Sequence, residues 1–239
     1  MLAHAQELVY TLKELMPTQY QKDNLEAMLA LFLEAQGQPL PEYSQTKSPS
    51  AISRFLNINP WSTREMIRVV RSTALQTVLK VLASSGQGRK PFLQVILDLT
   101  TLEKRGKFQE FSDLIRTYNG KRGLHLVVVY LVIGRCRIPW NFRVWRGKGT
   151  PSPGQLGLKL VQRLPKILTE RFETIILADT AFGSIEFLEA VRRLKYHAVT
   201  GVAISRKLAD GRPLRRLHKQ GQQVYLFGLK FLLPFLGIT

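Results

Sequence analysis

Phe92-Leu93-Gln94-Val95-Ile96-Leu97-Asp98 is the stretch on which the reading of this chain turns. It is short, apolar and partly β-branched, which predicts a buried strand over 92–99 rather than a helix. The run ends on a carboxylate. A second run, Thr174-Ile175-Ile176-Leu177-Ala178-Asp179, repeats the form and predicts a strand over 173–179. A carboxylate at the mouth of a buried strand is costly unless it is paired, hydrated or bound to a metal. Each aspartate also has a plain structural reading. Asp98 can cap a turn through Thr100 or Thr101, and Asp179 can start an Asx-turn over Ala181 and Phe182.

The surrounding charge favours a polyanionic partner. Of 239 residues, 35 are Lys or Arg and 17 are Asp or Glu, a formal net charge of +18. Residues 1–50 hold 3 basic and 6 acidic residues, whereas residues 86–239 hold 27 and 10. That surplus exceeds what solubility requires and suits a phosphate backbone. Ribosomal or membrane-surface binding is the plainer alternative. Apolar content of 45% supports a sizeable core. The single cysteine, Cys136, allows no internal disulfide. No signal layout and no apolar run long enough to span a bilayer is found, so a cytoplasmic protein associated with the nucleoid is expected.

Around these strands the chain divides in character. Residues 1–85 read as helical. Leu8, Leu12 and Leu15 stripe a first helix; Leu25, Met28, Leu29, Phe32 and Leu33 stripe a second, with Gly37 as its C-cap. A short helix over 51–56 and a turn at Asn57–Trp61 lead to Ser62-Thr63-Arg64-Glu65, a capping box. The helix it opens carries Ile67, Val70, Ala74 and Val78 on one face and Arg64, Arg68 and Arg71 on another. That is either a helix-turn-helix DNA reader or an ordinary helical hairpin with a solvated basic face. Ser84–Pro91 reads as a flexible, basic linker, and the domain boundary is placed there.

Residues 86–239 read as mixed α/β. A helix-like stretch near 109–117 follows the first strand. Leu124–Ile133 and Ile138–Trp145 form a hairpin turned by Gly134-Arg135, with Pro139 arguing for an edge or a bulge. Residues 154–168 are expected to be helical, with Leu156, Leu160 and Leu164 in register. After the second aspartate comes a helix from Gly183-Ser184 to about Lys195, with Ile185, Leu188 and Val191 inward. Strands over Val199–Ile204 and Val224–Leu229 complete the pattern, which is a central mixed sheet with helices packed on it. His125, His197 and His218 lack metal spacing and are read as structural or surface residues. Trp140 and Trp145 are read as core, with nucleobase stacking as the alternative.

The linked motifs carry a resemblance that neither aspartate carries alone. Phe92 to Thr101, followed by Lys104-Arg105-Gly106-Lys107-Phe108, resembles the first catalytic block of insertion-sequence DDE transposases. Asn119-Gly120-Lys121-Arg122-Gly123-Leu124-His125 and the hairpin ending Trp145-Arg146-Gly147-Lys148 resemble the stretch that follows it. Ile175 to Ser184 resembles the second catalytic block, and Ser50–Arg71 the helical N-terminal region. The nearest group is the one named for insertion sequence four, and the likeness runs from about residue 40 to 230. It implies an α/β fold: an RNase H-like mixed sheet with flanking helices behind a small, helix-turn-helix-like all-α domain. It implies a transposase that binds terminal inverted repeats and target DNA, as a homodimer on DNA. It also implies two-metal phosphoryl transfer with Mg²⁺ or Mn²⁺, in which Asp98 bridges both ions and Asp179 holds one. The expected phosphate contacts are Arg64, Arg68, Arg71, Lys104, Arg105, Lys107, Lys121, Arg122, Arg206, Lys207, Arg212, Arg215 and Arg216.

The third acid departs from the family pattern. That group carries a glutamate in a Tyr-x2-Arg-x3-Glu-x6-Lys signature, and no tyrosine here starts that spacing: Val199 lies three after Tyr196, Gly228 three after Tyr225. Beyond Asp179 the acids are Glu186, Glu189 and Asp210. The first two read as a solvated helix face and the third as a hairpin tip. The apolar end, Leu229 to Thr239, reads either as a short core segment or as a terminus altered by a frameshift or early stop. An inactive DNA-binding remnant, or an unrelated basic structural or nuclease-like protein, therefore stands beside the transposase reading.

Overall fold

The computed structural model describes residues 2–34, 43–83, 90–104, 112–203, 205–207, 211–213, 223–226 and 229–232. The chain forms two compact units, Met1–Gly86 and Gln87–Thr239.

The first unit is four helices: α1 (Leu2–Glu14), α2 (Gln19–Glu34), α3 (Pro49–Asn57) and α4 (Thr63–Ala83). Its core gathers Leu12, Met16, Leu25, Met28 and Phe55, with Trp61, Met66 and Val69 packed against them. Ser48 caps α3 by accepting from the Ala51 amide, and Ser62 caps α4 by accepting from the Glu65 amide, each at 3.2 Å. Trp61 lies flat on Phe55, with ring centroids 5.6 Å apart, and donates its indole N–H to the Phe55 carbonyl. This contact fixes the rotation of α4. Met66 and Val69 turn to the core, whereas Val70, from the expected stripe, is exposed. Phe32 and Leu33 are likewise exposed, because α2 buries the face of Gln21, Asn24, Leu25, Met28 and Leu31. Gln21 is accommodated by donating to the Pro60 carbonyl.

The second unit is built on a mixed sheet. Its elements are β1 (Phe92–Glu103), β2 (Arg116–Tyr118), β3 (Lys121–Ile133), β4 (Cys136–Trp145), α5 (Pro153–Val161), α6 (Lys166–Arg171), β5 (Glu173–Ala178), α7 (Ile185–Arg193) and β6 (His197–Thr200). A separate hairpin pairs β7 (Gln223–Leu226) with β8 (Leu229–Leu232). In the main sheet β4, β3, β1, β5 and β6 lie side by side, with β2 pairing the start of β3. β3 runs antiparallel to β1 and β4, while β1, β5 and β6 are parallel. This is the RNase H-like order. Leu93, Val95 and Leu97 share one face with Val127, Val129, Leu131 and Ile176, all buried. α5 packs with β1, β3, β4 and α7. The register puts Phe92, Asp98, Tyr130, Phe142 and Val199 on the opposite face, and all five are exposed.

Several boundaries differ from the sequence reading. β1 extends to Glu103 because β3 pairs with it as far as Gly123. The end of the expected helix near 109–117 is instead β2, turned into β3 by Asn119-Gly120 at φ 47° and 75°, as a type I′ turn requires. The helix expected over 154–168 breaks into α5 and α6, with Pro165 directly before α6. The strand expected over 199–204 is β6, four residues long and starting at His197; Ile204 lies outside the described residues. The expected 224–229 strand is split between β7 and β8. The bulge suggested by Pro139 is present: Val129 pairs Asn141 and Tyr130 pairs Pro139, leaving Trp140 extra. Gly37 lies outside the described residues.

Candidate functional site

The parallel register sets the two aspartates side by side. Leu97 pairs Ala178, the last residue of β5, so Asp98 within β1 and Asp179, one residue past β5, follow paired neighbours. Adjacent strands run ~4.8 Å apart. Asp179 keeps an extended backbone, φ −82° and ψ −174°, so the pleat that places Ile96 and Leu177 on one face carries on to both acids. Asp98 does not end its strand: it pairs Val128 in mid-β1, at the point where β5 stops beside it. Thr100 Oγ1 donates to Asp98 Oδ2 at 3.3 Å, and the Ala181 amide donates to Asp179 Oδ1 at 2.9 Å. The turn contact expected of Asp179 is thus present, whereas Asp98 caps no turn because β1 continues through Thr100 to Glu103; both side chains remain exposed. Among the described residues neither carboxylate is ion-paired. Two unit charges ~5 Å apart repel by roughly 1 kcal/mol in water and more beside protein, which a bound cation would offset.

The Asp179 segment is held tightly from behind. Asp179 caps a 3-10 turn, Thr180–Phe182. Phe182 is fully buried against Phe187 and against Gly157 of α5, where a Cβ would lie 2.8 Å from its ring. A Cβ on Gly183 would strike the Gly201 carbonyl oxygen, and one on Gly201 would meet Thr180. Only glycine allows the two segments to approach this closely.

Among the described residues no group of three His, Cys, Asp or Glu side chains is placed to hold a metal. Glu186 is exposed, and Glu189 is ion-paired to Arg193 at 3.3 Å. Asp210 lies outside the described residues, although Lys207 and Pro213 bridge in antiparallel fashion and Gly211 has φ 82°.

The expected phosphate contacts do not behave as one set. Arg64 and Arg68 are exposed on α4, but Arg71 is half-buried, is engaged with a partner, and has its pKa lowered by burial. Lys104, Lys121 and Arg122 come together where β1 ends beside the start of β3. Arg122 donates to the Lys104 carbonyl, and Lys121 pairs Glu103 at 3.5 Å. Lys207 and Arg212 are exposed. Arg206 instead donates to the Gly183 carbonyl at 2.5 Å. Arg105, Lys107, Arg215 and Arg216 lie outside the described residues.

Arg116, near the basic cluster, was missed by sequence reasoning. Arg116 donates to the Ser112, Ile115 and Arg146 carbonyls, and Arg146 pairs Asp113 at 3.6 Å. The Asn119-Gly120 turn signal would have located Arg116 on a strand. His125 is structural: fully buried, bonded to Thr101 Oγ1 at 2.8 Å and to the Arg116 carbonyl at 3.0 Å, and packed edge-on with Tyr118 and Trp145. Trp145 is core, while His197 pairs Glu173 at the surface. His218 lies outside the described residues.

No protein-family model matches the chain, and no curated protein matches it. Among solved structures, it is similar to piggyBac transposase in a synaptic complex with hairpin DNA, with TM-score 0.40 and 16% identity over 85% of this chain and 45% of that one. It is also similar to the Mos1 strand transfer complex (TM-score 0.29, 14% identity, 78% of this chain and 60% of that one). The Mos1 paired-end complex with left transposon end gives TM-score 0.29 and 13% identity over the same shares. The chain thus spans less than two thirds of the length of these transposase chains. No helix among the described residues is long and apolar enough to cross a membrane.

Proposed function

We propose that this chain is a DDE-type DNA transposase of the insertion-sequence-four-like group, acting in the cytoplasm on transposon ends and target DNA as a homodimer. One observation carries the reading: acids 81 residues apart in sequence each directly follow the last paired position of two adjacent parallel strands, Asp98 within β1 and Asp179 one residue past β5. The motif resemblance and the basic surplus support it.

The donor set fits a hard divalent cation. Carboxylate oxygens are the ligands Mg²⁺ and Mn²⁺ favour, and Mg²⁺ commonly takes one or two carboxylates with water and phosphate oxygens completing its shell. Two such ions supply charge neutralisation at a scissile phosphate and an activated hydroxyl. Asp98 and Asp179 would hold them. Thr100 and the Ala181 amide each occupy one carboxylate oxygen and so limit how the two side chains turn. Lys104, Lys121, Arg122, Lys207 and Arg212 would grip flanking phosphates.

The test is Mn²⁺-dependent cleavage of inverted-repeat DNA by the full chain, compared with Asp98→Ala and Asp179→Ala. The expected result is metal-dependent nicking that either substitution reduces by at least about a hundredfold. Undiminished cleavage by the variants would overturn the site. A second reading, DNA binding without cleavage, is favoured by the engagement of Glu189 with Arg193 instead of with the aspartate pair. Salt-sensitive binding with no nicking by the unaltered chain would select it.

A further inference from the structure

We propose that Arg206 is a positioning residue for the Asp179 carboxylate, acting through the Gly183 carbonyl, and not a phosphate contact. The inference rests on the reading of Asp98 and Asp179 as a cation-holding pair.

Asp179 lies one residue beyond β5, so the pairing with β1 that fixes Ala178 no longer fixes Asp179. Its position depends on the short turn it caps. Within that turn the Phe182 amide donates to the Asp179 carbonyl and the Gly183 amide to the Thr180 carbonyl, each at 3.2 Å. The segment following β6 braces it from outside. The Gly201 amide donates to the Ala178 carbonyl at 3.2 Å. Thr200 Oγ1 lies 3.3 Å from the Asp179 carbonyl and 2.8 Å from the Gly201 carbonyl. One hydroxyl proton serves both, and the shorter contact takes most of it, so the tie to Asp179 is weak.

Arg206 provides the firm tie. Its guanidinium donates to the Gly183 carbonyl at 2.5 Å, a charge-assisted bond across 23 residues of sequence. Its own amide donates to the Ala203 carbonyl at 2.9 Å, which fixes the backbone from which the side chain reaches. Gly183 ends the turn that Asp179 begins. A turn of this length has almost no slack, so holding one end sets the other. The neighbouring Lys207 is exposed, so the two adjacent cations face different surroundings. Arg206 is partly buried against the turn, with Nη1 committed to the carbonyl.

The experiment compares the full chain with Arg206→Ala and Arg206→Lys, each first checked for an unaltered melting temperature. Three readouts are taken: Mn²⁺ affinity by electron paramagnetic resonance, amide hydrogen exchange of a peptide spanning 178–184, and the salt slope of DNA binding. The expected result for Arg206→Ala is Mn²⁺ affinity weakened about tenfold by misplacement of one ligand, faster exchange at Phe182 and Gly183, and an unchanged salt slope. Arg206→Lys should recover most of the Mn²⁺ affinity, since an ammonium still donates to the carbonyl. Unchanged exchange and Mn²⁺ affinity, with a salt slope reduced by about one, would overturn the proposal and make Arg206 a phosphate contact. If the unaltered chain shows no Mn²⁺ binding sensitive to Asp98→Asn, the metal reading fails on its own. The exchange result then decides the brace: faster exchange in Arg206→Ala upholds it, and unchanged exchange overturns it.

Discussion

Asp98 and Asp179 follow paired positions of neighbouring strands, and among the described residues neither is ion-paired. Replacing one should relieve repulsion. Asp98→Asn, measured in chelator, is expected to stabilise the second unit by up to about 1 kcal/mol, read as a higher urea midpoint. The same variant should lose the further stabilisation that Mn²⁺ gives the unaltered chain. A lower midpoint in chelator would mean that the carboxylate makes a structural bond stronger than the one from Thr100. At this scale much was legible. Both acids stood out because a charge after an apolar run is costly, and the Ser62 cap followed from its spacing to Glu65. The role of Arg206 was not legible, because its carbonyl partner lies 23 residues away and a basic residue in a basic segment carries no mark of its target.

α5 shows how one element supports another. Gly157 lets Phe182 approach its backbone, and Phe182 anchors the turn that Asp179 caps. Alanine is the better helix former by ~1 kcal/mol, but a Cβ 2.8 Å from the ring forces a repacking that costs roughly 1–3 kcal/mol. The clash should win. Gly157→Ala is expected to lower stability in urea denaturation and to weaken Mn²⁺ binding as the turn shifts; a stabilised variant would show that Phe182 has room to move. Elements were legible where periodicity spoke alone. Leu156, Leu160 and Leu164 are buried as expected. The split at Pro165 does not show in that leucine register, although proline carries no amide to continue a helix. β2 was missed because three residues are too few to show alternation, while its turn dipeptide, Asn119-Gly120, was plain in the sequence. The length of β1 depended on pairing with β3, a long-range contact that no local pattern encodes.

For the whole chain the net charge of +18 dominates. If about six basic residues contact phosphates, affinity for DNA should fall on the order of a thousandfold between 50 and 200 mM salt. A fluorescence-anisotropy titration at several salt concentrations checks this, and a flat profile would remove DNA as the partner. Charge and its uneven placement were fully legible, since they need no fold. Which basic residues are available was not, because Arg71 is half-buried and Arg206 is engaged with a carbonyl.

The exposed face bearing Phe92, Tyr130, Phe142 and Val199 gives that charge a second task. Aromatic surface of this kind is sticky, and in dilute buffer the electrostatic field of each molecule reaches ~30 Å and keeps its copies apart. Near physiological ionic strength the field shrinks to about 8 Å. Turbidity should therefore rise under the same conditions that release the polyanion, and a colloid held clear by its own repulsion would cloud as its ligand leaves.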